Sequence, residues 1–540
     1  MTPADQIRAE LLRAARSLGA PADVEPVLER PREPSHGDWA TNIAMLLARP
    51  LKSKPREIAE RLRATMSLAN AGVSKVDIAG PGFMNFWIDT GRIASGLREV
   101  LVADERYGSA NVGAGRDVNV EFVSANPTGP LHVGHGRQAA LGDAIATLLE
   151  VTGWKVTREF YYNDAGVQIE NLAASVEARL QQLRGESAEI PEGGYHGEYI
   201  RELAEKYQAD SEGLSVREFA VRELRKEQDL DLQAFGVRFD KYFLESSLYS
   251  DGMVDETVRL LAASGKTYES DGALWLRTTD FGDDKDRVMR KRDGTYTYFL
   301  PDVAYHVTKW KRGFHRAIDV QGADHHSTVT RVRAGLQALD MGMSRDYPEY
   351  VLHQMVTVMK QGEEVKISKR AGSYVTVRDL INEVGRDAVR YFFLMRKSDS
   401  QLIFNVDLAA SQSEENPVYY IQMGHARMCG IFRVGEIDPA SVDPDAIDFG
   451  VLTEPEEQAL IKALLDFPDL VLSAGEMLEP HRVATYLLDT ARLAHLWYHK
   501  HHVLEQEPKV TNARLALARS AQIVLRNGLR ILGITAPERM

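Results

Sequence analysis

Hydrophobic positions near the start of the chain recur at helical spacing. Ile7, Leu11, Leu12 and Ala15 share one side of Ala4–Ser17, and Pro55–Met66 carries a second amphipathic pattern. Alternation then replaces it. Val76-Asp77-Ile78 leads through the turn Gly80-Pro81-Gly82 into Phe83-Met84-Asn85-Phe86-Trp87-Ile88, which predicts a pair of strands. The glycine-rich polar run Asp104–Gly115 reads as a linker and sets off residues 1–110 as an α/β module. From Asp117 to about Asn405, strand-like runs such as Val118–Val123, Lys155–Tyr161 and Ala317–Val320 alternate with helical stretches. That order predicts a doubly wound, Rossmann-like parallel sheet over residues 111–410. Charged helical sequence interrupts it as an insertion at about 172–291. After Ser411 the strand signals stop, and residues 411–540 read as an all-α domain broken by the acidic loop Gly435–Asp448.

With 540 residues the chain has room for several cores, and 44% hydrophobic and 26% charged residues are those of an ordinary soluble protein. No apolar run is long enough to span a bilayer and no basic-then-apolar leader opens the chain, so the expectation is a cytoplasmic protein without a membrane role. The single cysteine, Cys429, excludes an intrachain disulfide and a cysteine-based zinc site. A net charge of −13 argues against non-specific binding of DNA, although basic clusters stand out at Lys285–Arg292 and from Lys509 onward.

Two short segments carry the chemistry. His132-Val133-Gly134-His135 falls where a strand turns into a helix, at the helix's positive end, a place suited to a phosphate. Both imidazoles could donate hydrogen bonds to that phosphate as its charge grows, and Gly134 would leave room for it. Lys366-Ile367-Ser368-Lys369 lies in a basic loop able to neutralise a polyphosphate, with Lys366, Ser368 and Lys369 as its ligands. Together they point to ATP chemistry. Mg²⁺ is expected because pyrophosphate is a polyanionic leaving group, and in the absence of a visible carboxylate cage it would be held with ATP. No other metal site is expected.

The pair of segments, in this order, resembles the two signature motifs of class I aminoacyl-tRNA synthetases. Val120–Arg137, Tyr161–Gln168, Phe281–Lys285 through Tyr296–Asp302, Asn416–Gln422 and His36–Asn42 narrow the likeness to the arginyl-tRNA synthetases. The resemblance implies activation of L-arginine with ATP and its transfer to the 3′ end of tRNA(Arg). It implies Glu121, Ser124 and Asn126 as ligands of the amino acid, with Tyr298 and Asp302 on the guanidinium side. Gln321 and Asp324 are further candidates for the same pocket. The N-terminal module would touch the tRNA D-loop and the C-terminal domain the anticodon, with Asn42, Tyr419, Tyr420, Trp497 and Arg526 as candidate tRNA contacts. The resemblance also implies that arginine activation requires bound tRNA, and a monomer is expected. Ile367 stands where the family usually has methionine, and His502 where it commonly has arginine.

Overall fold

The computed structural model describes residues 3–31, 33–68, 71–164, 166–365 and 374–540. In the N-terminal module, helix α1 (Pro3–Ser17) and helix α2 (Pro55–Thr65) flank a small antiparallel sheet. Its strands β1 (Trp39–Thr41), β2 (Val73–Ala79) and β3 (Phe83–Ile88) lie in the order β1-β3-β2. Ile7, Leu11, Ile58 and Leu62 are buried together with Met84 and Phe86 of β3, which accounts for the helical and alternating patterns at once. Pro55 opens α2, where its missing N–H would have had no partner in the helix.

Helix α3 (Leu97–Ala103) leads into the central unit. There β4 (Asp117–Glu121), α4 (Val133–Val151) and β5 (Lys155–Tyr162) are followed by three helices, α5 (Val167–Leu183), α6 (Glu198–Ala209) and α7 (Val216–Ala234), and by β6 (Lys241–Leu244). Helices α8 (Glu245–Ser250) and α9 (Met253–Ala263) precede a three-stranded antiparallel flap, β7 (Thr267–Ser270), β8 (Ala273–Leu276) and β9 (Arg287–Arg290). The chain returns through α10 (Phe299–Lys311), β10 (Ala317–Gly322), α11 (His326–Ala338) and β11 (Glu349–His353). The sheet has the order β11-β10-β4-β5-β6 and every pairing is parallel. Because the winding reverses beside β4, a crevice opens beyond the carboxyl ends of β4 and β10. The stretch 172–291, expected as an insertion, therefore supplies a strand of the main sheet. Lys-Tyr-Phe-Leu is too short to show an alternation, and as an edge strand it need not be apolar on both faces.

A second small sheet follows, β13 (Glu363–Glu364), β12 (Val356–Lys360) and, after helices α12 (Val377–Val384) and α13 (Arg386–Leu394), β14 (Leu402–Asn405). The C-terminal domain is helical: α14 (Pro417–Val434), α15 (Pro455–Leu465), α16 (Phe467–Met477), α17 (His481–Lys500) and α18 (Pro508–Ile531). Helix α18 packs against α14, α15 and α17 and also against α3.

The run expected as a linker is docked rather than free. The Asp104 carboxylate accepts from Arg519 (3.1 Å) and Arg526 (2.6 Å), and Asn527 donates to the carbonyls of Asp104 and Tyr107. Arg526, expected as a tRNA contact, gives its Nη2 to this interdomain ion pair. The reading of Trp497 as a tRNA contact is corrected. It is fully buried in the helical core, where an aromatic on the inner face of α17 contributes area rather than a stacking surface.

Candidate active site

Strand β4 ends at Glu121, and the chain then turns sharply. Val123 (φ 70°) and Ser124 (φ 43°) are both in the left-handed region, which a β-branched residue enters only under strain, at about 1–3 kcal/mol per residue. The turn aims the Ser124 hydroxyl back across the strand ends, where it donates to Glu121 Oε1 (2.8 Å) and accepts from the Tyr161 N–H of β5 (3.2 Å). The loop continues through Asn126, whose side-chain amide donates to Gln168 and whose carbonyl accepts from Gln228 of α7.

His132 is the N-cap of α4. Its Nδ1 accepts from the backbone N–H of His135 at 3.2 Å, which places its proton on Nε2 and leaves that atom a donor. The two imidazoles stack at 3.6 Å with 14° between their planes. Burial pulls the pKa of both below the ordinary histidine value, and His135 falls further because His132 and His353 stand beside it. Near pH 7 the pair is therefore neutral and acts through oriented N–H groups. The Nδ1 of His135 is buried and has no partner among the described residues. Gly134 turns out to serve this stack: a Cβ there would approach His132 Cε1 to 2.8 Å. Both rings face a cavity of about 610 Å³ lined also by Asn126, Gly129, Gln168, Tyr199 and Tyr374.

Lys366, Ser368 and Lys369 lie outside the described residues. What borders them is fixed. Val133 N donates to Val375 O (3.1 Å) and Val377 N to Leu131 O (2.9 Å), so the segment after the lysines is strapped across the histidine motif. Thr376 then caps α12 through a reciprocal bond with Asp379.

Beside the strained turn lies a buried acidic pocket. Lys309 of α10, fully buried, pairs with Glu121 Oε2 (2.6 Å) and Asp319 Oδ1 (2.8 Å), while His306 Nε2 meets the other oxygen of Asp319 (2.6 Å). Glu159 is held by a two-pronged bond from Arg312 and by Tyr305. Two carboxylates have no basic partner among the described residues, Asp302 on the first turn of α10 and Glu245, which directly follows β6. Burial raises Glu245, against the hydrogen bond it accepts from Tyr161 (2.9 Å). Burial and repulsion from Glu245, Glu121 and Asp319 outweigh His306 and push Asp302 up to about 7. Such a pair is poised to take a cation.

Of the residues expected around the amino acid, Ser124, Asn126 and Asp302 are brought to this crevice. Tyr298 stands at its rim, 78% exposed, at the N-cap of α10. Glu121, expected as a ligand of the amino acid, lies beside them, and its two oxygens accept from Ser124 and Lys309 while each keeps a second lone pair. Gln321 is the penultimate residue of β10, with a buried Oε1 lacking a partner among the described residues, whereas Asp324 is exposed beside His325. Among the candidate tRNA contacts, Asn42 is exposed, and Tyr419 and Tyr420 are half-buried on α14. Sequence reasoning missed Glu245, Lys309 and Tyr161. Glu245 sits at a strand's carboxyl end as Glu121 does, a signal available only once β6 is recognised.

The three groups Glu121, His306 and Asp319 have the spacing of metal ligands, but Lys309 already supplies their positive charge. They do not fit a magnesium site.

A parallel sheet with paired histidines at its first helix, a second basic motif in the sequence just before the segment strapped across them, and a helical C-terminal domain define a class I aminoacyl-tRNA synthetase. Comparison with known families gives the same answer. Residues 4–88 match the arginyl tRNA synthetase N-terminal domain, 96–422 the catalytic domain of class I (R) tRNA synthetases and 421–540 the DALR anticodon-binding domain. An arginine–tRNA ligase from Geotalea daltonii is 54% identical over 534 residues, covering 95% of each chain. One from Cupriavidus metallidurans is 52% identical over 592, covering 99% of this chain and 98% of that one. The Thermus thermophilus arginyl-tRNA synthetase structure shares the fold at a TM-score of 0.77 and 24% identity, over 99% of both chains. The chain belongs to the arginyl-tRNA synthetase family.

Proposed function

We propose that this chain is an arginine–tRNA ligase in which the acidic pocket selects the amino acid and the histidine pair, with the lysine segment, drives its activation. The observation that carries the reading is the pair of carboxylates, Asp302 and Glu245, left without a basic partner in a buried pocket at the sheet's carboxyl edge. A guanidinium presents five donors in one plane and can fork to two such groups at once, whereas an ammonium is a compact point charge whose three donors share no plane. Tyr161 orients Glu245, and Lys309 holds Glu121 so that the Ser124 turn keeps its shape. Ser124, Asn126 and Gln321 face the α-amino and carboxylate groups of arginine.

The arginine carboxylate oxygen attacks the α-phosphorus of ATP, the bond to the bridging β-oxygen breaks and pyrophosphate leaves. His132 Nε2–H and the His135 ring donate to the phosphate as its charge grows, while Lys366, Ser368 and Lys369 meet the β- and γ-phosphates. Neutral donors suit this step, because they do not hold the ground state as tightly as a full charge would. Mg²⁺ arrives with ATP. A terminal hydroxyl of tRNA(Arg) then attacks the arginyl carbonyl and releases AMP. Asn42, Tyr419 and Tyr420 are the tRNA contacts retained. No helix among the described residues is long and apolar enough to cross a membrane. We take the enzyme to work as a cytoplasmic monomer. Charging purified tRNA with each of twenty amino acids tests the reading: arginine alone should be attached, and attachment of another amino acid at a comparable rate would refute it.

A further inference from the structure

His306 follows Asp302 by one turn of α10, on the same face, and is buried. Both of its ring nitrogens face oxygen. Nδ1 stands 2.7 Å from the backbone carbonyl of Asp302, and Nε2 stands 2.6 Å from Asp319 Oδ2 on β10. A carbonyl only accepts, so Nδ1 carries a proton. The second contact joins a ring nitrogen to a carboxylate oxygen, and at that distance a proton lies between them as well. Turning the ring over would set carbon against both oxygens and lose both bonds. Against its burial, Lys309 and then His306 hold Asp319 below the ordinary carboxylate range, so the shared proton sits on the ring. His306 is an imidazolium.

The charges around it balance. Three cations, His306, Lys309 and Arg312, meet three carboxylates, Asp319, Glu121 and Glu159. Asp302 and Glu245 stand outside that set, so the excess negative charge of the pocket falls on them. Without the imidazolium's proton the excess would move inward to Asp319, and Asp302 would hold a proton of its own. The other groups that face Asp302 do not supply this effect. Glu245 of α8, Glu121 of β4 and Asp319 of β10 repel its charge. Lys309, two turns along α10, is shared between Glu121 and Asp319. Tyr161 of β5, Tyr249 of α8 and Tyr350 of β11 are raised by burial above the ordinary tyrosine value and stay neutral.

We propose that His306 is a positioning residue for arginine selection: an imidazolium wedged between Asp319 and the first turn of α10 keeps negative charge on Asp302, where the guanidinium can reach it. The inference rests on the reading of Asp302 as a guanidinium ligand. Both nitrogens of His306 are taken up by the protein, so it acts through Asp302 and not on arginine itself.

The test is the pH dependence of kcat/KM for arginine in tRNA-supported ATP–pyrophosphate exchange, at saturating ATP, with the parent, H306Q, D302N and the double variant. H306Q removes the charge, so the acid limb should move up by roughly one pH unit, the lower end of what a nearby opposite charge does to a carboxylate. The plateau at high pH should stay within threefold of the parent. Calorimetry gives a second reading: at pH 8, arginine should expel about half a proton from H306Q against roughly a tenth from the parent. In the D302N background H306Q should change neither reading. A limb that stays in place, or a loss of equal size at every pH, overturns the proposal and marks a merely structural role. If H306Q does not fold, H306N, whose amide can still donate to the Asp302 carbonyl, decides by the same two readings. A parent without a limb, or a D302N enzyme that retains one, refutes the reading of Asp302 and this inference with it. A limb lost in D302N but unmoved in the His306 variants refutes this inference alone.

Discussion

Asp302→Asn isolates the acid on which arginine selection turns. In the parent the carboxyl is pushed up to about 7 by burial and by its acidic neighbours, so it is largely protonated at pH 6 and largely ionised at pH 8. Arginine requires the ionised form. At saturating ATP and tRNA, kcat/KM for arginine should therefore be flat above pH 8 and fall toward tenfold per unit below about 7. Burial moves His132 and His135 away from this limb, since it pulls both below the ordinary histidine value, His135 well below it. Binding and titration are linked: at pH 6.5, arginine should expel roughly three-quarters of a proton, measurable by calorimetry in buffers of different ionisation enthalpy. Asparagine at position 302 removes the titration and the charge together. Two charge-assisted bonds at roughly 1.5–3 kcal/mol each predict a plateau lower by about 10² to 10⁴. D302N should thus be slow and nearly independent of pH between 6 and 8.5. A parent profile without a limb in that window, or a D302N enzyme that keeps the parent's limb, would refute the reasoning.

His135→Ala should lower kcat for adenylate formation by about 10² to 10³, the cost of one preorganised donor, with little change in arginine Kd; a KM effect alone in pre-steady-state assays would count against transition-state stabilisation. Trp497→Ala should destabilise the C-terminal domain by about 3–5 kcal/mol, read as a lowered Tm, while Trp497→Phe retains tRNA affinity; selective loss of tRNA binding by W497F would restore the stacking role. Gly136→Ala places a methyl 2.7 Å from Val377 Cγ2 and 2.9 Å from Phe393, and the overpacking should cost about 1–3 kcal/mol in a denaturant titration; an unchanged midpoint would show that α12 yields freely.

What the sequence conveyed depended on whether a residue's environment is local. The turn from β4 into α4 is written in consecutive residues, so the histidine pair and its helix start were legible, as was the change to an all-helical C-terminal domain. Glu245 was not, because its strand is four residues long and acquires its meaning from pairing with β5 across an intervening three helices. Lys309 reads in sequence as a solvated helix residue in the company of Lys311 and Arg312. Only the packing of α10 over β4 and β10 turns it inward onto Glu121 and Asp319. Arg526 and Trp497 show the converse: a basic residue and an aromatic that suit RNA equally suit a domain interface and a core, and side-chain type alone does not choose between them.

The most direct measurement is amino-acid-dependent ATP–pyrophosphate exchange, in the presence of tRNA(Arg), by the parent and by Glu245→Gln. The parent should exchange with arginine and not with lysine or citrulline, since each of these leaves acceptors unpaired in the pocket, a rejection that can reach roughly 10⁴-fold. E245Q should lose most of its kcat/KM for arginine while its KM for ATP stays near the parent value. Exchange supported equally by lysine, or an E245Q enzyme that uses arginine within threefold of the parent, would contradict the assignment of the pocket.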